Sequence, residues 1–489
     1  MYNFEAPDID LLNCRDDWRE DIKLGYRTAS ARRTDQTAFR WYYVASGFFL
    51  AQTVGAFAAL DRILYGEWDG KTGDKLSQIL NLILIAVSFL LFFRGFRQSR
   101  SVGTGGALAL SLAIFLALSG LWSIDPATST RRGLQYLFFV IGTIGITRNL
   151  DGDEFMRLLR LVCILSALAA LPLFVVSPGI VMMGDGRDVR GVFSHKNVLG
   201  QVMAAGVLAS LHGMRVESGR RSVNFLMLIV LIASALASRS GTAFVVIIIF
   251  CSVDAIAVLY RRGGVMRLVA VFAVALLIPV LAIFMLFPDL ALGMLGKDAT
   301  LTGRTDLWAY VMDFIAQRPI LGWGFLAFWQ PTNPLAEEVS TTLGWRVPEA
   351  HNGLLELLLE VGIVGTGAFL VLWIRNVAIA LRCLWTSAKD IGQTALLNCS
   401  GIILVSISEE VMVDPAQISV VLFFVTGLYC EKALLADRRR RLAAGRAGKP
   451  GARRTGRRVD LSYERPPPIS EHGRAQLDRD AFMGSEPHS

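Results

Sequence analysis

The chain has 489 residues and a net charge of +8, with 53% hydrophobic and only 18% charged residues. This balance excludes an ordinary soluble domain. The positive charge falls in clusters beside apolar runs, where the positive-inside rule explains it without nucleic-acid binding. Apolar runs of about 18 or more residues recur, each long enough to cross roughly 30 Å of hydrocarbon. Because they are continuously apolar rather than alternating, they predict an all-α polytopic membrane protein.

About twelve transmembrane helices are predicted. Their approximate ranges are 39–60, 77–96, 105–122, 133–147, 156–176, 196–212, 224–238, 242–260, 266–288, 352–374, 393–413 and 416–436. The segment before the first run lacks the pattern of a secretory signal, so we expect no cleavable signal peptide. The six cysteines form no CxxC pair, and we expect neither disulfides nor a zinc site.

Loop charge predicts how these helices are oriented. With a cytoplasmic N-terminus, the loops on the cytoplasmic side are all basic, as the positive-inside rule requires. Both termini are then cytoplasmic. The expected organisation is a cytoplasmic extension at 1–38, helices 1–9 within 39–288, a large loop on the far side at 289–350, helices 10–12 within 351–436, and a disordered basic cytoplasmic tail at 437–489.

The large loop contains a candidate anion-binding residue. Thr302 or Thr305 can cap a helix that starts at Asp306, which places Arg304 at a helix N-terminus, where free N–H groups and the dipole favour anions. A guanidinium there suits a phosphate or diphosphate because its planar fork binds two oxygens. The alternative is an arginine held by lipid headgroups or by a nearby aspartate.

His351 follows Glu349 and directly precedes the next membrane helix. Imidazole can accept a proton near neutral pH, although a lone histidine at an interface is more often a bystander. Asn352, Glu356 and Glu360 share an adjacent helical face, and carboxylates inside a membrane helix need partners or a wet cavity. The pattern predicts a polar cavity at the outer end of this helix.

A second loop on the far side, near 177–195, concentrates basic residues. The candidates in and beside it, with one further arginine from another outer turn, are Arg187, Arg190, His195, Lys196, Asn197 and Arg239. Positive charge on the non-cytoplasmic side opposes the topology bias. Binding of an anionic substrate explains it, and helix capping with headgroup contacts is the alternative.

Metal and nucleotide signals are weak. Asp151-Gly152-Asp153 has the DxD form of nucleotide-sugar enzymes, but the predicted topology puts it in the cytoplasm, and Asp185 and Asp188 have cationic neighbours. We therefore expect no metal and no cofactor, with arginines neutralising any phosphate charge. The chain also lacks a P-loop and a Gly-x-Ser-x-Gly elbow, which argues against ATP hydrolysis and esterase chemistry.

The loop motifs resemble those of the O-antigen ligase and Wzy-like polymerase family, and most of all its exopolysaccharide-polymerase branch. The matching segments are Gly303-Arg304 with Trp308, Pro319 with Gly322-Trp323-Gly324, His351-Asn352 followed by Gly362-Ile363-Val364-Gly365, Arg190-Gly191-Val192-Phe193-Ser194-His195-Lys196-Asn197 with Leu199-Gly200, and Ser238-Arg239-Ser240.

The resemblance implies a helical, GT-C-like glycosyltransferase of the bacterial inner membrane, with the large loop in the periplasm. It implies polymerisation of undecaprenyl-diphosphate-linked repeat units into exopolysaccharide by inverting, metal-independent transfer. The expected partners are a lipid-linked saccharide donor and acceptor, membrane lipids and a chain-length regulator, without nucleic acid. The expected catalytic residues are His351, Arg304 and Arg190, and the expected substrate-binding residues are Arg187, His195, Lys196, Asn197, Arg239, Glu349, Asn352 and Glu356.

Three alternatives remain open. An O-antigen ligase would use the same fold and donor but transfer the glycan to lipid A–core. A transporter would use Glu356, Glu360, Glu409 and Glu410 as a coupling path, although the unusual charges gather at one membrane face rather than at mid-depth with inverted repeats. A structural scaffold accounts less well for the outer arginines.

Overall fold

The computed structural model describes residues 40–66, 75–98, 102–184, 186–286, 302–407, 409–410, 412 and 417–447. These residues are almost entirely helical, and the sheet among them is one antiparallel hairpin of β1 (Met182–Met183) and β2 (Asp188–Val189). The predicted all-α membrane fold is confirmed. The extension at 1–38 lies outside the described residues, as does the tail beyond 447.

The described α-helices follow one another closely along the chain. In order, they are α1 (Trp41–Thr53), α2 (Ala58–Tyr65), α3 (Lys75–Gln98), α4 (Gly103–Leu118), α5 (Pro126–Asn149), α6 (Gly152–Val176), α7 (Pro178–Val181), α8 (Lys196–Val216), α9 (Arg221–Ala237), α10 (Gly241–Arg262), α11 (Gly264–Leu286), α12 (Thr302–Gln317), α13 (Pro334–Leu343), α14 (Gly353–Cys383), α15 (Lys389–Ser406) and α16 (Ile418–Ala447). One compact unit ends at Asp437, and Arg438–Ser489 is a second unit. The start of the tail predicted to be disordered is helical to Ala447.

The number of spans differs from the predicted twelve. Seven of the described helices are long and apolar enough to cross a membrane, and eight if the bent pair α1 and α2 is one span. The seven are α3, α4, α6, α9, α10, α14 and α16. The predicted range 39–60 falls on two helices, α1 and α2, and each of the other ranges overlaps one helix. Of these, α8 and α15 are buried along most of their length and carry polar residues such as His212, Gln393 and Asn398. A helix surrounded by protein needs no apolar surface towards lipid and can carry more polar residues. A test by length and apolar composition therefore does not select α8 and α15 as membrane spans.

Helix α5 packs against both α3 and α4 through glycines. A side-chain carbon at Gly133 would lie 2.3 Å from the Cα of Ala117, and one at Gly145 would lie 2.7 Å from the backbone nitrogen of Phe92. Small residues let helix backbones approach in lipid, where close van der Waals packing replaces the hydrophobic effect as the main attraction between helices. These contacts hold the first third of the bundle together.

Helix α14 is broken at Gly362, whose φ is 61°. The turn at 319–324 docks on the break. The N–H of Trp323 donates to the carbonyl of Leu359 at 2.9 Å, and three further backbone hydrogen bonds join the two segments. A side-chain carbon at Gly362 would lie 2.3 Å from the carbonyl oxygen of Ile320. The glycine therefore makes room for a turn of the large loop and frees the backbone groups that the turn satisfies.

The part of the large loop that the structure describes has an apolar core of its own. Helix α12 buries Leu307, Val311 and Phe314 in one cluster with Trp323 and Phe328. The indole N–H of Trp323 also donates to the carbonyl of Phe314 at 2.9 Å. This core connects α12 to the turn that docks on α14. The loop is thus a folded layer attached to the N-terminal half of α14, where His351 and Asn352 precede the first helical residue.

Candidate active site

The two loops that carry the predicted site residues are linked at the start of α8 through Glu409, in the segment after α15. The side-chain amide of Asn197 donates to Oε1 of Glu409 at 3.0 Å. Glu409 also belongs to a group with Glu349 and His351, in which one ligand atom of each side chain lies within 4.8 Å of the others. We call these four residues the histidine cluster. Sequence reasoning missed Glu409 as a site residue, because a carboxylate far along the chain carries no local signal that it reaches the histidine.

The turn before α14 holds His351 in a defined orientation. Nδ1 of His351 lies 2.9 Å from Oε1 of Glu349, and the imidazole lies 5.9 Å from the ring of Trp345. The contact is close but is not a hydrogen bond, so the carboxylate acts on the imidazole through its negative charge. The backbone of His351 has a φ of 51°, in the left-handed region that non-glycine residues rarely adopt. Such strain is found preferentially at functional sites.

Asn352 and Glu356 accept hydrogen bonds from the backbone on either side of His351. Asn352 caps α14 by accepting from the N–H groups of Leu354 and Leu355 at 3.1 and 3.2 Å. Glu356 is only 2% exposed, and its Oε2 accepts from the N–H of Ala350 at 2.6 Å. Both residues were predicted to bind substrate. Their contacts position His351, because each accepts hydrogen bonds from the backbone on one side of it. Their role in substrate binding stays a prediction.

Two tryptophans complete this support. The indole N–H of Trp329 donates to Oε1 of Glu356 at 2.8 Å, and that of Trp308 donates to the carbonyl of Ala350 at 3.0 Å. Trp308 lies on α12 and Trp329 lies in the segment before α13, so the folded loop layer is attached directly to the histidine turn. The large loop therefore supports the candidate site directly.

The loop before α8 brings several charges together. Lys196 pairs with Asp188, and Nε of Arg239 lies 3.9 Å from Oδ1 of the same aspartate. The side chain of Arg239 is 60% exposed, and its φ of 53° is again left-handed. Lys196 is the neighbour of Asn197, which contacts Glu409. Two cationic side chains thus converge on Asp188, and one of them, Lys196, directly precedes Asn197 of the histidine cluster in the chain.

His195 is the N-cap of α8. Its Nδ1 accepts from the N–H of Asn197 at 3.2 Å. Burial lowers the pKa of His195, and the positive charge of Lys196 lowers it further. A neutral ring can accept the capping hydrogen bond, whereas a protonated one cannot. The predicted substrate-binding residue therefore has a local structural role at the start of the helix.

Arg190 is 8% exposed and anchors the hairpin loop. Its Nε donates to the carbonyl of Ile180 at 3.2 Å, and one terminal nitrogen donates to the carbonyl of Gly179 at 3.0 Å. Arg187, by contrast, is exposed in the same loop. Arg304 is the third residue of α12, which starts at Thr302, four residues before the predicted start. The side chain of Arg304 lies outside the described residues.

The histidine cluster also has the composition of a metal site. Glu349, His351 and Glu409 offer two carboxylates and an imidazole, which are ligands for several divalent ions. Their half-buried positions would leave coordination sites open to a substrate. The expected metal-independent transfer therefore stays a prediction.

Fold and site together define a polytopic membrane protein with a polar, histidine-containing cluster on a turn to which a folded loop layer is attached. Residues 225–370 match the family described as O-antigen ligase (Wzy_C). Over 348 residues the chain is 27% identical to the exopolysaccharide production protein ExoQ of Rhizobium meliloti (strain 1021), an alignment that covers 68% of this chain and 78% of the relative. The resemblance to the O-antigen ligase and Wzy-like polymerase family, in its exopolysaccharide branch, is confirmed.

Proposed function

We propose that this protein polymerises undecaprenyl-diphosphate-linked oligosaccharide repeats into exopolysaccharide at the periplasmic face of the bacterial inner membrane, with both termini in the cytoplasm. The observation that carries the proposal is the position of His351, which lies beside Glu349 and close to Glu409, the residue that links the histidine turn to the basic loop before α8. The family match includes the histidine turn, and the similarity to an exopolysaccharide production protein favours a polysaccharide as the product.

In this proposal, His351 acts as the general base. Nε2 accepts the proton of an acceptor hydroxyl, and the hydroxyl oxygen attacks the anomeric carbon of the donor sugar. The bond from that carbon to the diphosphate oxygen breaks, and undecaprenyl diphosphate leaves with the bonding electrons. A single displacement of this kind inverts the anomeric configuration.

The developing negative charge falls on the diphosphate. Lys196 and Arg239, which both approach Asp188 near the start of α8, are proposed to stabilise that charge electrostatically. Arg304 and Arg187, on the two loops that Glu409 links, are proposed to share this role. Glu349 orients the imidazole and stabilises the imidazolium that forms when His351 takes the proton.

A ligase is the second candidate, favoured by the description of the matching family. The donor and the leaving group would be the same, and the acceptor would be lipid A–core. Purified full-length protein supplied with a defined lipid-linked repeat as the only saccharide should yield a ladder of products differing by one repeat. Transfer only after addition of lipid A–core would establish the ligase. Movement of the substrate across vesicles without a new glycosidic bond would contradict both enzymes.

A chain-length regulator is the protein partner expected in the cell. The assay with purified protein tests whether length control needs this partner, because we expect the isolated chain to make polymer with a broad length distribution. A narrow distribution from the isolated chain would place the length control within this protein.

A further inference from the structure

A large cavity lies between α2, α3 and α5, with a volume of about 1470 Å³. The bend of 65° between α1 and α2 turns α2 out of line with α1. The loop after β2 holds α2 in this position. The N–H of Ala59 donates to the carbonyl of Val192 at 2.8 Å, and Arg62 donates to the carbonyls of Phe193 and Gly191 at 2.9 and 3.2 Å. The broken helix therefore forms one wall of an open chamber.

The lining of this cavity combines positive charge with amide and hydroxyl groups. Its charged residues, among those that the structure describes, are Asp61, Arg62, Arg131, Arg132 and Arg190. Its amide and hydroxyl residues include Ser77, Gln78, Asn81, Thr130, Gln135 and Ser194. Amides and hydroxyls both donate and accept hydrogen bonds, as sugar hydroxyls do, and an excess of guanidinium groups attracts oxyanions. We call this chamber the arginine cavity.

The arginine cavity shares two walls with the histidine cluster. One is the loop before α8, whose Arg190 and Ser194 line the cavity, while Asn197 contacts Glu409. The other is the segment before α13, where Gln330 lines the cavity and the adjacent Trp329 donates to Glu356 under the histidine turn. The same two segments of the chain therefore line the cavity and support the histidine cluster.

The size of the cavity indicates an oligosaccharide. Pockets for drug-sized ligands measure roughly 300–1,000 Å³, and this chamber exceeds that range. The side chains of Leu82, Ile85, Leu134 and Phe138 add apolar surface on α3 and α5, against which the less polar faces of sugar rings can pack. A small inorganic anion would fill only a fraction of the space.

We infer that the arginine cavity is a second substrate-binding site, which holds an anionic saccharide while the histidine cluster carries out transfer. The inference rests on the proposed function, because polymerisation requires two lipid-linked glycans at the same time. The negative charge that the arginines recognise belongs either to the diphosphate of the lipid carrier or to acidic sugars of the repeat. The two sources are separable by experiment.

Binding to the full-length protein in phosphatidylcholine nanodiscs tests this inference. The probes are an acidic hyaluronan tetrasaccharide, the neutral cellotetraose and inorganic diphosphate, each measured by calorimetry. The test variant is Arg131→Gln/Arg132→Gln, in which both replaced side chains are exposed at the cavity. The matched control is Arg220→Gln/Arg262→Gln, which removes the same charge from exposed positions that do not line the cavity.

We expect the acidic tetrasaccharide to bind the wild type at least tenfold more tightly than the neutral one. We also expect the Kd for the acidic tetrasaccharide to rise at least tenfold in the test variant and to stay at the wild-type value in the control. Displacement of the acidic tetrasaccharide by diphosphate at similar concentration assigns the recognised charge to the carrier diphosphate. Resistance to displacement assigns it to acidic sugars. Unchanged thermal melting of the test variant shows that the loss does not come from unfolding.

Three results would overturn the inference. These are equal affinity for the acidic and neutral tetrasaccharides, equal effects of the test and control variants, and loss of saccharide binding when phosphatidylglycerol replaces part of the phosphatidylcholine. The last would show a site for lipid headgroups. The same titration with His351→Ala keeps this test separate from the proposed function, because saccharide binding in the cavity should survive whether or not that variant transfers sugar.

Discussion

Helix α8 connects two polar regions that differ in almost every physical respect. Asn197 at its start belongs to the histidine cluster. Arg215, about 27 Å further along at 1.5 Å per residue, pairs with Asp254 and lies 3.6 Å from Asp390. The nitrogens of His212 near the same end lie 2.9 Å from the hydroxyl of Thr394 and 3.0 Å from Asp153. We call this second region the buried network, after the buried side chains of His212, Arg215 and Asp254 at its centre. Its other members are Thr394, Gln393 and, at its more exposed edge, Asp153, Asp390 and Arg261.

The difference between the regions lies in how their charges are satisfied. In the buried network the side chains of Arg215 and Asp254 are 5% and 7% exposed, and each makes several contacts with groups from other helices. In the histidine cluster, Glu349 and His351 are 24% and 19% exposed and lie on turns. Arg239 and His351 also hold left-handed backbone conformations. Buried charges that are paired across helices fasten those helices together, whereas partly exposed charges on strained turns remain available for a substrate.

The sharpest test of this comparison replaces one histidine from each region. His351→Ala should lower the rate of glycosyl transfer by about 10²–10⁴-fold, the range for loss of a general base, with little change in melting temperature. His212→Ala should lower the melting temperature with little change in the rate of transfer per folded molecule, because His212 is 2% exposed and joins α8 to α6 and α15. The transfer rate per folded molecule and the melting temperature are measured for each variant. Equal losses of activity would remove the distinction between the regions.

Removing the cation of the buried network should produce the largest effect on stability. Arg215→Ala leaves Asp254 buried without its partner, which costs about 3–5 kcal/mol in comparable pairs. Arg220→Ala, in the exposed turn after α8, serves as the control and should melt like the wild type. Thermal unfolding in detergent compares the melting temperatures of the two variants with that of the wild type. Wild-type stability with reduced transfer in Arg215→Ala would instead place the network in the catalytic machinery.

A glycine pair tests whether the loop layer positions the histidine turn. Gly362→Ala puts a carbon 2.3 Å from a backbone carbonyl of the docked turn and imposes a left-handed conformation on alanine. The strain is about 1–3 kcal/mol, and we expect transfer to fall together with stability. Gly367→Ala, on the same helix, meets no atom within 4 Å and should be neutral or slightly stabilising. Equal activity of the two variants would show that the docked turn does not position the site.

The smallest expected effect is a pH dependence at the N-cap of α8. The pKa of His195 is lowered in the folded protein, so the unfolded chain takes up a proton more readily near its ordinary value of about 6.5. The contribution of the neutral ring to the free energy of unfolding is therefore present in full above that pH and is lost as the pH falls through it. His195→Asn keeps a capping oxygen and does not titrate. Melting temperatures from pH 8 to pH 5 should fall more for the wild type, and parallel curves would contradict the assignment.

Much of the fold and part of the site follow from sequence. Apolar runs identify each helix of the bundle, and the charge of the short loops predicts which loops share a face. The basic loop before α8 and the histidine turn are expected together, because outer arginines oppose the usual topology bias. The meeting of Asn197 with Glu409 agrees with that expectation.

The remaining features depend on tertiary contacts that no local pattern reports. The spacing of Gly362 and Gly365 favours contact with another helix, yet it is a turn of the large loop that packs against Gly362. Glu356 looks like a lining residue until its two oxygens are seen to accept from Ala350 and Trp329. The arginine cavity is not predictable from sequence, because the bend between α1 and α2 is invisible in an apolar run.

Photocrosslinking of the substrate tests the central claim most directly. A lipid-linked repeat with a diazirine on its reducing-end sugar would be irradiated with the full-length protein in nanodiscs, and the crosslinked peptides would be identified by mass spectrometry. The account predicts crosslinks within 187–197 and 345–356, on the two loops that Glu409 links in the histidine cluster. Crosslinks concentrated within 212–217 and 390–394, at the buried network, would contradict it.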